Sequence, residues 1–483
     1  MSVVVAVDCS TTAAKAVVAE PGRVLATAAR PVPTATPHPA WHEQDPADWW
    51  AATRGAIAEA VAASGRGRDV AAVCLTHQRE TFVVADADGT PRRPAVLWLD
   101  GRAHAEIAAL GSPAVHALSG KPPDTTPALY KLAWLARHEP EALRGAARVG
   151  DVHAVLAHRL TGRWATSTQS ADTLGLFDLR RLDWAPELLD LAGVRADQLP
   201  DLVPAGEPIG PLLPDVAAEL GLPAGVPLVA GIGDGQAAGM ALGATVPGVA
   251  YLNLGTSMVM GVASDAYVTD AAFRTLAGVP TGTYTLETVL NAAAYLASWV
   301  RERFGGGADL EAAAAEVPPG AEGLLVLPYW NAAQTPYWDP LARGAVVGWH
   351  GRHTPAHLYR AVLEGVAFEL ALHVEHLERA TGRRVAQLRA VGGGARSPLW
   401  VRIVADVVQR PVRVCSAGEV SAAGAARIAH AYLGADTPAD PPGHDVDPDP
   451  AAPYPPVAAV HRRLYPALRE VFADLVATQP SGA

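Results

Sequence analysis

The 483-residue sequence predicts an α/β protein with two similar lobes that share a cleft. The chain is too long for one ordinary hydrophobic core, so two or three domains are expected. Segments with strand-like patterning alternate with segments of helical spacing along the whole chain. A strand–turn–strand pattern that opens the sequence returns near its middle. These three observations together favour a repeated α/β unit over a single sheet.

The first half begins with a buried strand. Val3–Val7 is a continuous β-branched and small apolar run, which is typical of a strand covered on both faces. Asp45 followed by Pro46 predicts a helix start, because Asp is a favoured N-cap and Pro fits the first helical position. Further strands are predicted at Ala16–Ala19, Val24–Ala28, Val70–Thr76, Phe82–Ala85, Ala95–Leu99 and Pro227–Ile232, and helices at Ala128–His138 and Asp151–Leu160.

The second half restarts in the same way. Ala6–Thr12 aligns with Tyr251–Ser257, since each has an apolar strand, then Asp or Asn, then two hydroxyl residues in the turn. Identity between the two segments is low, so the repeat is a hypothesis. Strands are predicted at Val249–Leu254, Met258–Ala263, Leu324–Leu327 and Ala386–Val391. Helices are predicted at Asn291–Phe304, Val420–Leu433 and His461–Val476, and two more are expected to start at Thr354-Pro355 and at Ser397-Pro398. A Pro-rich surface linker is predicted at 436–456.

Composition excludes several classes of protein. Half of the residues are hydrophobic and 18% are charged, as in a globular protein. The net charge of −11 and the lack of a Lys/Arg run argue against a nucleic-acid partner. No apolar stretch is long enough for a membrane span, and the first residues are interpreted as a strand, not a signal peptide. Three scattered cysteines indicate a reducing compartment, so we expect a cytoplasmic protein.

Two turns have the residues that phosphate binding requires. The turn from Asp8 to Thr12, with Lys15, offers small residues, backbone N–H groups and hydroxyls. Asp8 ends a buried strand and could hold Mg²⁺ directly or through water. Gly255-Thr256-Ser257 offers the same groups in the second half. Each turn by itself is also compatible with an ordinary hairpin, but the pair favours a clamp on a triphosphate.

Asp234 is the candidate general base. It lies between Gly233 and Gly235 at the end of a predicted buried strand, where ligand sites gather in open α/β sheets. From there it could accept a proton from a substrate hydroxyl. The alternative is an N-cap on the helix that follows, and both roles are compatible.

Two further segments are candidates for ligand contacts. The adjacent Arg79 and Glu80 provide donors and acceptors that suit polyol hydroxyls, although a surface ion pair or a solvated loop is the commoner role of such a pair and is favoured when the pair is taken alone. The glycine-rich run from Val391 to Pro398 lacks the spacing of a dinucleotide fingerprint. It could let an adenine ring lie against the backbone, or it could be a loop without a ligand.

These features, in this order, resemble the FGGY family of carbohydrate kinases in the actin/hexokinase superfamily. The likeness covers roughly residues 2–435, and it includes the segments Tyr130–Leu135, Thr335–Pro340 and Val362–Ala367. The resemblance implies two actin/hexokinase-like (ribonuclease H-like) lobes around a nucleotide and substrate cleft. We expect an N-terminal lobe at 1–243, a C-terminal lobe at 244–435, and a linker with a C-terminal helix at 436–483.

The resemblance also implies an activity and a role for each site residue. The expected reaction is phosphorylation of a sugar or polyol hydroxyl by Mg-ATP, with the small-molecule acceptor as the partner and a homodimer as an option. Asp8 would be the metal-associated carboxylate and Asp234 the base. Substrate contacts are expected from Gln78, Arg79, Glu80, Trp98, Asp234 and Gln236, and nucleotide contacts from Thr11, Thr12, Lys15, Gly255, Thr256, Gly393, Gly394 and Ser397.

The substrate stays open at this stage. The segment Gln78–Thr81 is similar to glycerol kinases, whereas Leu97–Arg102 and Gly392–Trp400 look more like xylulokinases. Two rival functions also stay open, which are an ATPase that uses water as acceptor and a binding sensor without catalysis.

Overall fold

The protein is described here from a computed structural model, which covers residues 2–307, 309–416, 418–435 and 441–478. Its strands are β1 Val3–Cys9, β2 Ala13–Glu20, β3 Arg23–Pro31, β4 Glu43–Gln44, β5 Val70–His77, β6 Phe82–Ala85, β7 Ala95–Val96, β8 Arg148–Asp151, β9 Ala165–Ser167, β10 Phe177–Asp178, β11 Asp183–Trp184, β12 Asp201–Val203, β13 Pro208–Pro211, β14 Pro227–Gly233, β15 Val249–Leu254, β16 Met258–Ser264, β17 Arg274–Ala277, β18 Tyr284–Leu290, β19 Leu325–Leu327, β20 Ala345–Val347, β21 Gln387–Val391, β22 Val412–Cys415 and β23 Gly443–Val446.

Helices cover both main sheets. They are α1 Pro46–Ser64, α2 His104–Leu110, α3 Pro113–Ser119, α4 Ala128–His138, α5 Pro140–Arg144, α6 Val152–Thr161, α7 Thr168–Ala171, α8 Pro186–Ala192, α9 Pro214–Glu219, α10 Asp234–Ala241, α11 Ala294–Phe304, α12 Leu310–Ala315, α13 Pro355–Thr381, α14 Pro398–Val408, α15 Val420–Tyr432, α16 Tyr454–His461 and α17 Leu464–Ala477.

The two main sheets share the same arrangement of their five central strands, which confirms the repeat. The N-terminal sheet has the order β13-β14-β5-β1-β2-β3, and the C-terminal sheet has β23-β22-β21-β15-β16-β18 with β17 added at its edge. In each sheet a central strand, β1 or β15, pairs on one side with two successive antiparallel strands, which are β2 and β3 or β16 and β18. On its other side lie two parallel strands, β5 and β14 or β21 and β22, and then an antiparallel strand, β13 or β23. The two hairpin turns identified in the sequence therefore occupy equivalent positions.

Strand β1 shows why an unbroken apolar run is needed at the centre of a sheet. Val3, Val5 and Val7 pack into a core with helices α1 and α6, whereas Val4 and Ala6 face a second core that includes residues of α15. All five side chains are fully buried. The sequence prediction of a strand covered on both faces is confirmed.

Helix α15 lies late in the chain but packs against the N-terminal sheet. It contacts β1 and β5, and it also crosses α10. The crossing is close, because a Cβ built on Gly424 would lie 1.9 Å from the carbonyl oxygen of Ala237. The two helices thus connect the two halves of the chain.

Several predicted helix starts are confirmed by their caps. Asp45 accepts a hydrogen bond from the Ala47 N–H at 2.8 Å, and Ser397 Oγ accepts one from the Trp400 N–H at 2.9 Å. The Thr354-Pro355 start is also confirmed, by a capping box with His357. Within the described residues, no helix combines the length and the apolar character that crossing a bilayer requires.

Two predicted segments differ from the structure. The strand expected at Ala95–Leu99 ends at Val96, because the carbonyls of Leu97 and Trp98 bind a buried lysine and not a neighbouring strand. The segment expected to be a linker contains strand β23, which pairs with β22, and helix α16. Residues 436–440 of that segment lie outside the described residues.

Candidate active site

A cavity of about 1040 Å³ opens between the two lobes. Asp8 and Lys15 of the first hairpin line it on one side, and Asn253 of the second hairpin lies opposite. The glycine-rich turn after β21 and the start of α15 complete the wall. The lining includes Val391, Gly392, Gly393, Ala395, Arg396, Pro398, Glu419, Val420, Ser421 and His444.

Asp8 is a buried carboxylate with unmet bonding capacity. It lies near the end of β1, directly opposite Lys15 in the hairpin. Its Oδ1 is buried and has no hydrogen-bond partner. Burial raises the pKa of Asp8 well above its ordinary value, and the nearby charge of Asp234 raises it further, against the opposing effect of Lys15. An orphaned, buried carboxylate oxygen on a cavity wall fits a site for a hard divalent cation.

Lys15 forms an ion pair with Glu419, and both residues line the cavity. Its Nζ lies 2.8 Å from Glu419 Oε2, just before α15, and both side chains are about one third exposed. Thr12 beside it is exposed, whereas the Thr11 hydroxyl is engaged elsewhere. The first turn therefore presents Lys15 and Thr12 toward solvent-accessible space.

Asp234 begins helix α10 at the carboxyl end of β14, as the strand–turn–helix pattern predicted. Arg79 Nε lies 3.1 Å from Asp234 Oδ1, and the N–H of Gly235 donates to the same oxygen at 2.8 Å. The Asp234 side chain is 35% exposed, in contrast to the buried Arg79. Two fixed donors on one oxygen thus orient a carboxylate that remains accessible.

The glycines that flank Asp234 make room for Arg79. A Cβ on Gly233 would lie 2.5 Å from the Arg79 Cδ atom, and one on Gly235 would lie 2.8 Å from Arg79 Nη2 and from a Glu287 oxygen. Larger residues would displace the guanidinium that orients Asp234. The Gly-Asp-Gly pattern is explained by this close packing.

Arg79 and Glu80 belong to a buried network of ion pairs between the lobes. Arg79 Nη1 binds Glu287 Oε2 at 3.0 Å, and Arg274 binds both Glu287 and Glu80, at 2.6 Å each. Tyr251 donates its hydroxyl to Glu287 at 2.5 Å. Burial opposes ionisation of Glu287, but Arg79 and Arg274 outweigh it and lower its pKa to about 2. Arg79 and Glu80 therefore do not form a surface ion pair. Both are buried, and each binds a partner in the second half of the chain.

Gln78 and Trp98 meet at a hydroxyl of the first turn. Thr11 Oγ1 donates to Gln78 Oε1 at 3.2 Å and accepts from Trp98 Nε1 at 3.0 Å. Gln44, which no sequence signal singled out, accepts from Gln78 Nε2 at 2.9 Å and donates to the Thr11 carbonyl at 2.6 Å. Thr11 thus lies with the predicted substrate residues, although it was predicted to contact nucleotide.

Lys131 positions the loop that carries Trp98. Its buried Nζ lies between 2.8 and 3.1 Å from the carbonyl oxygens of Leu97, Trp98, Thr125 and Thr126. Burial lowers the pKa of Lys131 to about 8. The helix that carries this lysine was singled out from the sequence, but its link to Trp98 was not.

Gln236 bridges the two halves of the chain. Its Nε2 donates to the carbonyls of Gln169 and Ala277, at 3.0 and 3.1 Å, while its buried Oε1 has no partner. The amide is fixed by structural contacts, and only its oxygen is left for a ligand.

The second turn is attached to helix α11. The carbonyls of Gly255 and Thr256 accept hydrogen bonds from the N–H groups of Ala294 and Ala293, at 2.9 Å each. The Thr256 side chain is exposed. The turn is thus fixed by its carbonyls, and its hydroxyl is available.

The three predicted nucleotide residues after β21 have different surroundings. A Cβ on Gly393 would meet nothing within 4 Å, whereas one on Gly394 would lie 2.7 Å from the Trp400 ring. Ser397 Oγ caps α14 and donates to Glu311 Oε1. All three line a second cavity of about 440 Å³, and of the three only Gly393 lines the first cavity as well.

Comparison with known proteins identifies the family. Residues 3–241 match the sequence model of the FGGY family of carbohydrate kinases, N-terminal domain, and residues 250–432 match that of the C-terminal domain. The chain belongs to the FGGY family of carbohydrate kinases. It is 34% identical to a xylulose kinase of Escherichia coli over 438 residues, which is 88% of this chain and 89% of the relative.

Other relatives of this FGGY kinase act on different acceptors. The chain is 34% identical to a glycerol kinase of Citrifermentans bemidjiense over 451 residues, covering 89% of this chain and 90% of the relative. The crystal structure of a xylulose kinase from Rhodospirillum rubrum superposes with a TM-score of 0.91 at 31% identity, over 98% of this chain and all of the other. The predicted family and two-lobed fold are confirmed.

In this FGGY kinase, sequence reasoning missed the residues that contact Arg79 and Glu80 from distant parts of the chain. Glu287 binds Arg79 from 208 positions away, and Arg274 binds Glu80 from 194 positions away. Both lie in ordinary strand patterns, β18 and β17. Their charges at fully buried strand positions are the one signal that could have drawn attention to them.

Proposed function

We propose that this carbohydrate kinase transfers the γ-phosphoryl group of ATP to a hydroxyl of a ketopentose such as xylulose, or of a glycerol-like polyol, with Asp234 as the general base. The observation that carries this assignment is the geometry of Asp234. It is an accessible carboxylate, oriented by Arg79 and the Gly235 N–H, close enough to the cavity carboxylate Asp8 to affect its pKa.

The large cavity between the lobes is the proposed ATP site. Lys15 lines this cavity, and the open space beside Gly393 suits a flat base. We assign Lys15 to the phosphates, together with the exposed Thr12 and Thr256 of the two turns, which are not among the lining residues. We assign Mg²⁺ to Asp8, whose unpartnered oxygen fits it. When bound, the ion would neutralise phosphate charge, which lowers the barrier to phosphoryl transfer.

Asp234 acts on the acceptor in this proposal. Both described contacts of its carboxylate involve Oδ1, so Oδ2 is the oxygen that we assign to the substrate hydroxyl. Asp234 takes the hydroxyl proton as the alcohol oxygen bonds to the γ-phosphorus. The bond from that phosphorus to the β–γ bridging oxygen breaks, and ADP leaves with that oxygen. Positioning supplies most of the catalysis in such reactions, with the base adding its own share.

On the acceptor side we propose that Gln78, Trp98 and Gln236 surround the substrate. Arg79 binds Glu287, and Glu80 binds Arg274. Fewer of their hydrogen-bonding groups are therefore available for substrate hydroxyls. We therefore propose that Arg79 acts mainly by orienting Asp234. Relatives of equal identity act on xylulose and on glycerol, so identity does not separate the two acceptors.

A screen of acceptors tests the proposal. ADP release from Mg-ATP would be measured with glycerol, erythritol, xylulose, ribulose and their stereoisomers. We expect one acceptor to raise the rate far above the rate with water alone. ATP hydrolysis that no acceptor changes would instead favour an ATPase, and binding without turnover would favour a sensor.

A further inference from the structure

Three histidines and one glutamate converge on the surface of the C-terminal lobe, outside the cleft. His350, His353 and His357 lie in one segment before and within the first turn of α13. Glu322 lies before β19, in the turn that the segment packs against. The sequence analysis singled out none of these four residues, and the proposed reaction uses none of them.

The cluster has the dimensions of a metal site. One ligand atom from each of Glu322, His350 and His353 lies within 4.8 Å of the others. The rings of His350 and His353 have centroids 3.7 Å apart, and His357 follows at 5.3 Å from His353. The Nε2 atom of His353 is buried and has no hydrogen-bond partner. A buried ring nitrogen without a hydrogen-bond partner, close to a carboxylate, is an arrangement that a metal ion would satisfy.

Backbone geometry fixes the two segments against each other. Ala321 and Glu322 both have left-handed φ angles, 46° and 52°, which non-glycine residues rarely adopt. Gly348 has a φ of 99°, and a Cβ there would lie 2.3 Å from the carbonyl oxygen of Gly323. The turn and the histidine segment are thus in contact, which places Glu322 beside the rings.

We propose that Glu322, His350 and His353 form a binding site for a divalent transition-metal ion of the Zn²⁺ type, with water completing the coordination. Two imidazole nitrogens and one carboxylate suit Zn²⁺ or Co²⁺ and disfavour Mg²⁺ and Ca²⁺, which prefer oxygen ligands. Zn–N and Zn–O bonds are about 2.0–2.2 Å, so two ligand atoms at the tetrahedral angle are about 3.3–3.6 Å apart, which is less than the 4.8 Å limit within which the three ligand atoms lie. Exposed side chains such as Glu322 and His350 can close that difference by rotamer adjustment.

The two rings make hydrogen bonds that metal binding would replace. The N–H of His350 donates to His353 Nδ1 at 3.2 Å, and the N–H of Arg352 donates to His350 Nδ1 at 3.3 Å. A metal at Nε2 would move each ring proton to Nδ1 and break these two long bonds. The metal–nitrogen bonds and the satisfied Nε2 of His353 offset that cost.

His357 has a different role and serves as an internal contrast. Its Nδ1 accepts from the Thr354 N–H at 3.2 Å in the capping box of α13. Its Nε2 lies 3.7 Å from Glu322 Oε2. We assign it to helix capping and to a contact with Glu322, and not to the metal.

Calorimetric titration of the full-length chain with ZnCl₂, in excess MgCl₂, tests the site. We expect the wild type to bind one more equivalent of Zn²⁺ than a His350→Ala/His353→Ala variant. Single His353→Ala and Glu322→Gln changes should weaken binding at this site, the former by at least about 100-fold. His104→Ala, which removes an exposed histidine of the N-terminal lobe, should leave the stoichiometry unchanged.

Thermal unfolding with CoCl₂ and with ZnCl₂ provides a second readout. Because a ligand that binds only the folded state stabilises it, the metal should raise the Tm of the wild type and of His104→Ala but not of the double variant. Circular dichroism and acceptor-dependent kinase activity without added transition metal would establish that the double variant is folded. Equal Zn²⁺ stoichiometry in the wild type and a folded double variant would overturn the proposal.

Discussion

The accessible carboxylate at the start of α10 is the residue on which the proposed chemistry depends. Replacement of Asp234 by Asn keeps an oxygen for the Arg79 and Gly235 donors but removes the proton acceptor. We expect kcat to fall about 10²–10⁴-fold, the usual contribution of a general base, with the KM for ATP little changed. Steady-state kinetics with the acceptor found by the screen would measure this effect.

An exposed aspartate provides the control for that change. Asp190→Asn, in α8, should retain wild-type kinetics. Near-normal turnover by a folded Asp234→Asn variant would remove Asp234 from the mechanism.

Lys131 should influence the acceptor side through Trp98. In Lys131→Met, the carbonyls of Leu97 and Trp98 lose their buried donor, at a cost of about 1–3 kcal/mol in stability. Because the loop that carries Trp98 is then less fixed, we expect the KM for the acceptor to rise more than the KM for ATP. Equal changes in both KM values would indicate a general loss of structure. Lys131→Arg, which keeps the charge, provides the comparison.

At the residue scale the sequence indicates candidate site residues but not the contacts that they make. Asp8, Lys15 and Asp234 could be singled out because each follows or faces a buried strand with small neighbours. The partners of Arg79 and Glu80 could not, because they come from strands about two hundred positions away. Local patterns contain no information on which distant strand approaches a loop.

The crossing of α10 and α15 is the element-scale feature with the sharpest steric consequence. Gly424→Ala would place a Cβ 1.9 Å from the Ala237 carbonyl oxygen, so the helices must separate. We expect a loss of about 1–3 kcal/mol in the free energy of unfolding, as overpacking usually causes. The two helices also connect the two halves of the chain, so a reduced kcat should accompany the loss. Urea unfolding and steady-state kinetics measure the two effects.

A second helical glycine makes a matched control. A Cβ on Gly55, within α1, would meet the Arg30 side chain at 3.5 Å, an ordinary contact. Gly55→Ala should therefore stabilise the protein by up to about 1 kcal/mol through helix propensity. Destabilisation of equal size by both substitutions would show that the helix crossing is not the cause.

Elements with strong local signals were predicted well. Helix α1, helix α13 and strand β1 have caps or apolar runs that specify them without tertiary contacts. The stretch after Val96 and the segment at 443–446 were not predicted, because a buried lysine ends one strand and pairing with β22 creates the other. Both outcomes depend on residues remote in sequence.

Across the whole molecule, the two lobes are connected by a buried charge network and not by apolar packing alone. Arg79 and Glu80 come from the N-terminal half, and Arg274, Glu287 and Tyr251 from the C-terminal half. Such a network favours one relative position of the lobes, because each buried charge has its partner only in that position. It therefore couples the orientation of Asp234, through Arg79, to the placement of the opposite lobe.

Acid titration of Glu287 tests how much the charge of this residue stabilises the fold through the network. Its pKa of about 2 in the folded protein is below the ordinary value of 4.5, so the carboxylate stabilises the fold above pH 4.5 and this stabilisation is lost as the pH falls toward 2. We expect Glu287→Gln to reduce the free energy of unfolding by about 3 kcal/mol at pH 7. Between pH 5.5 and pH 3 the difference from the wild type should shrink by about 2 kcal/mol, because only the wild type titrates at this position.

Urea midpoints across this pH range measure the difference in the free energy of unfolding. Glu141→Gln, at a glutamate whose side chain is 87% exposed, is the control. A difference between Glu287→Gln and the wild type that stays constant with pH would show that the variant acts through packing and not through the charge of Glu287.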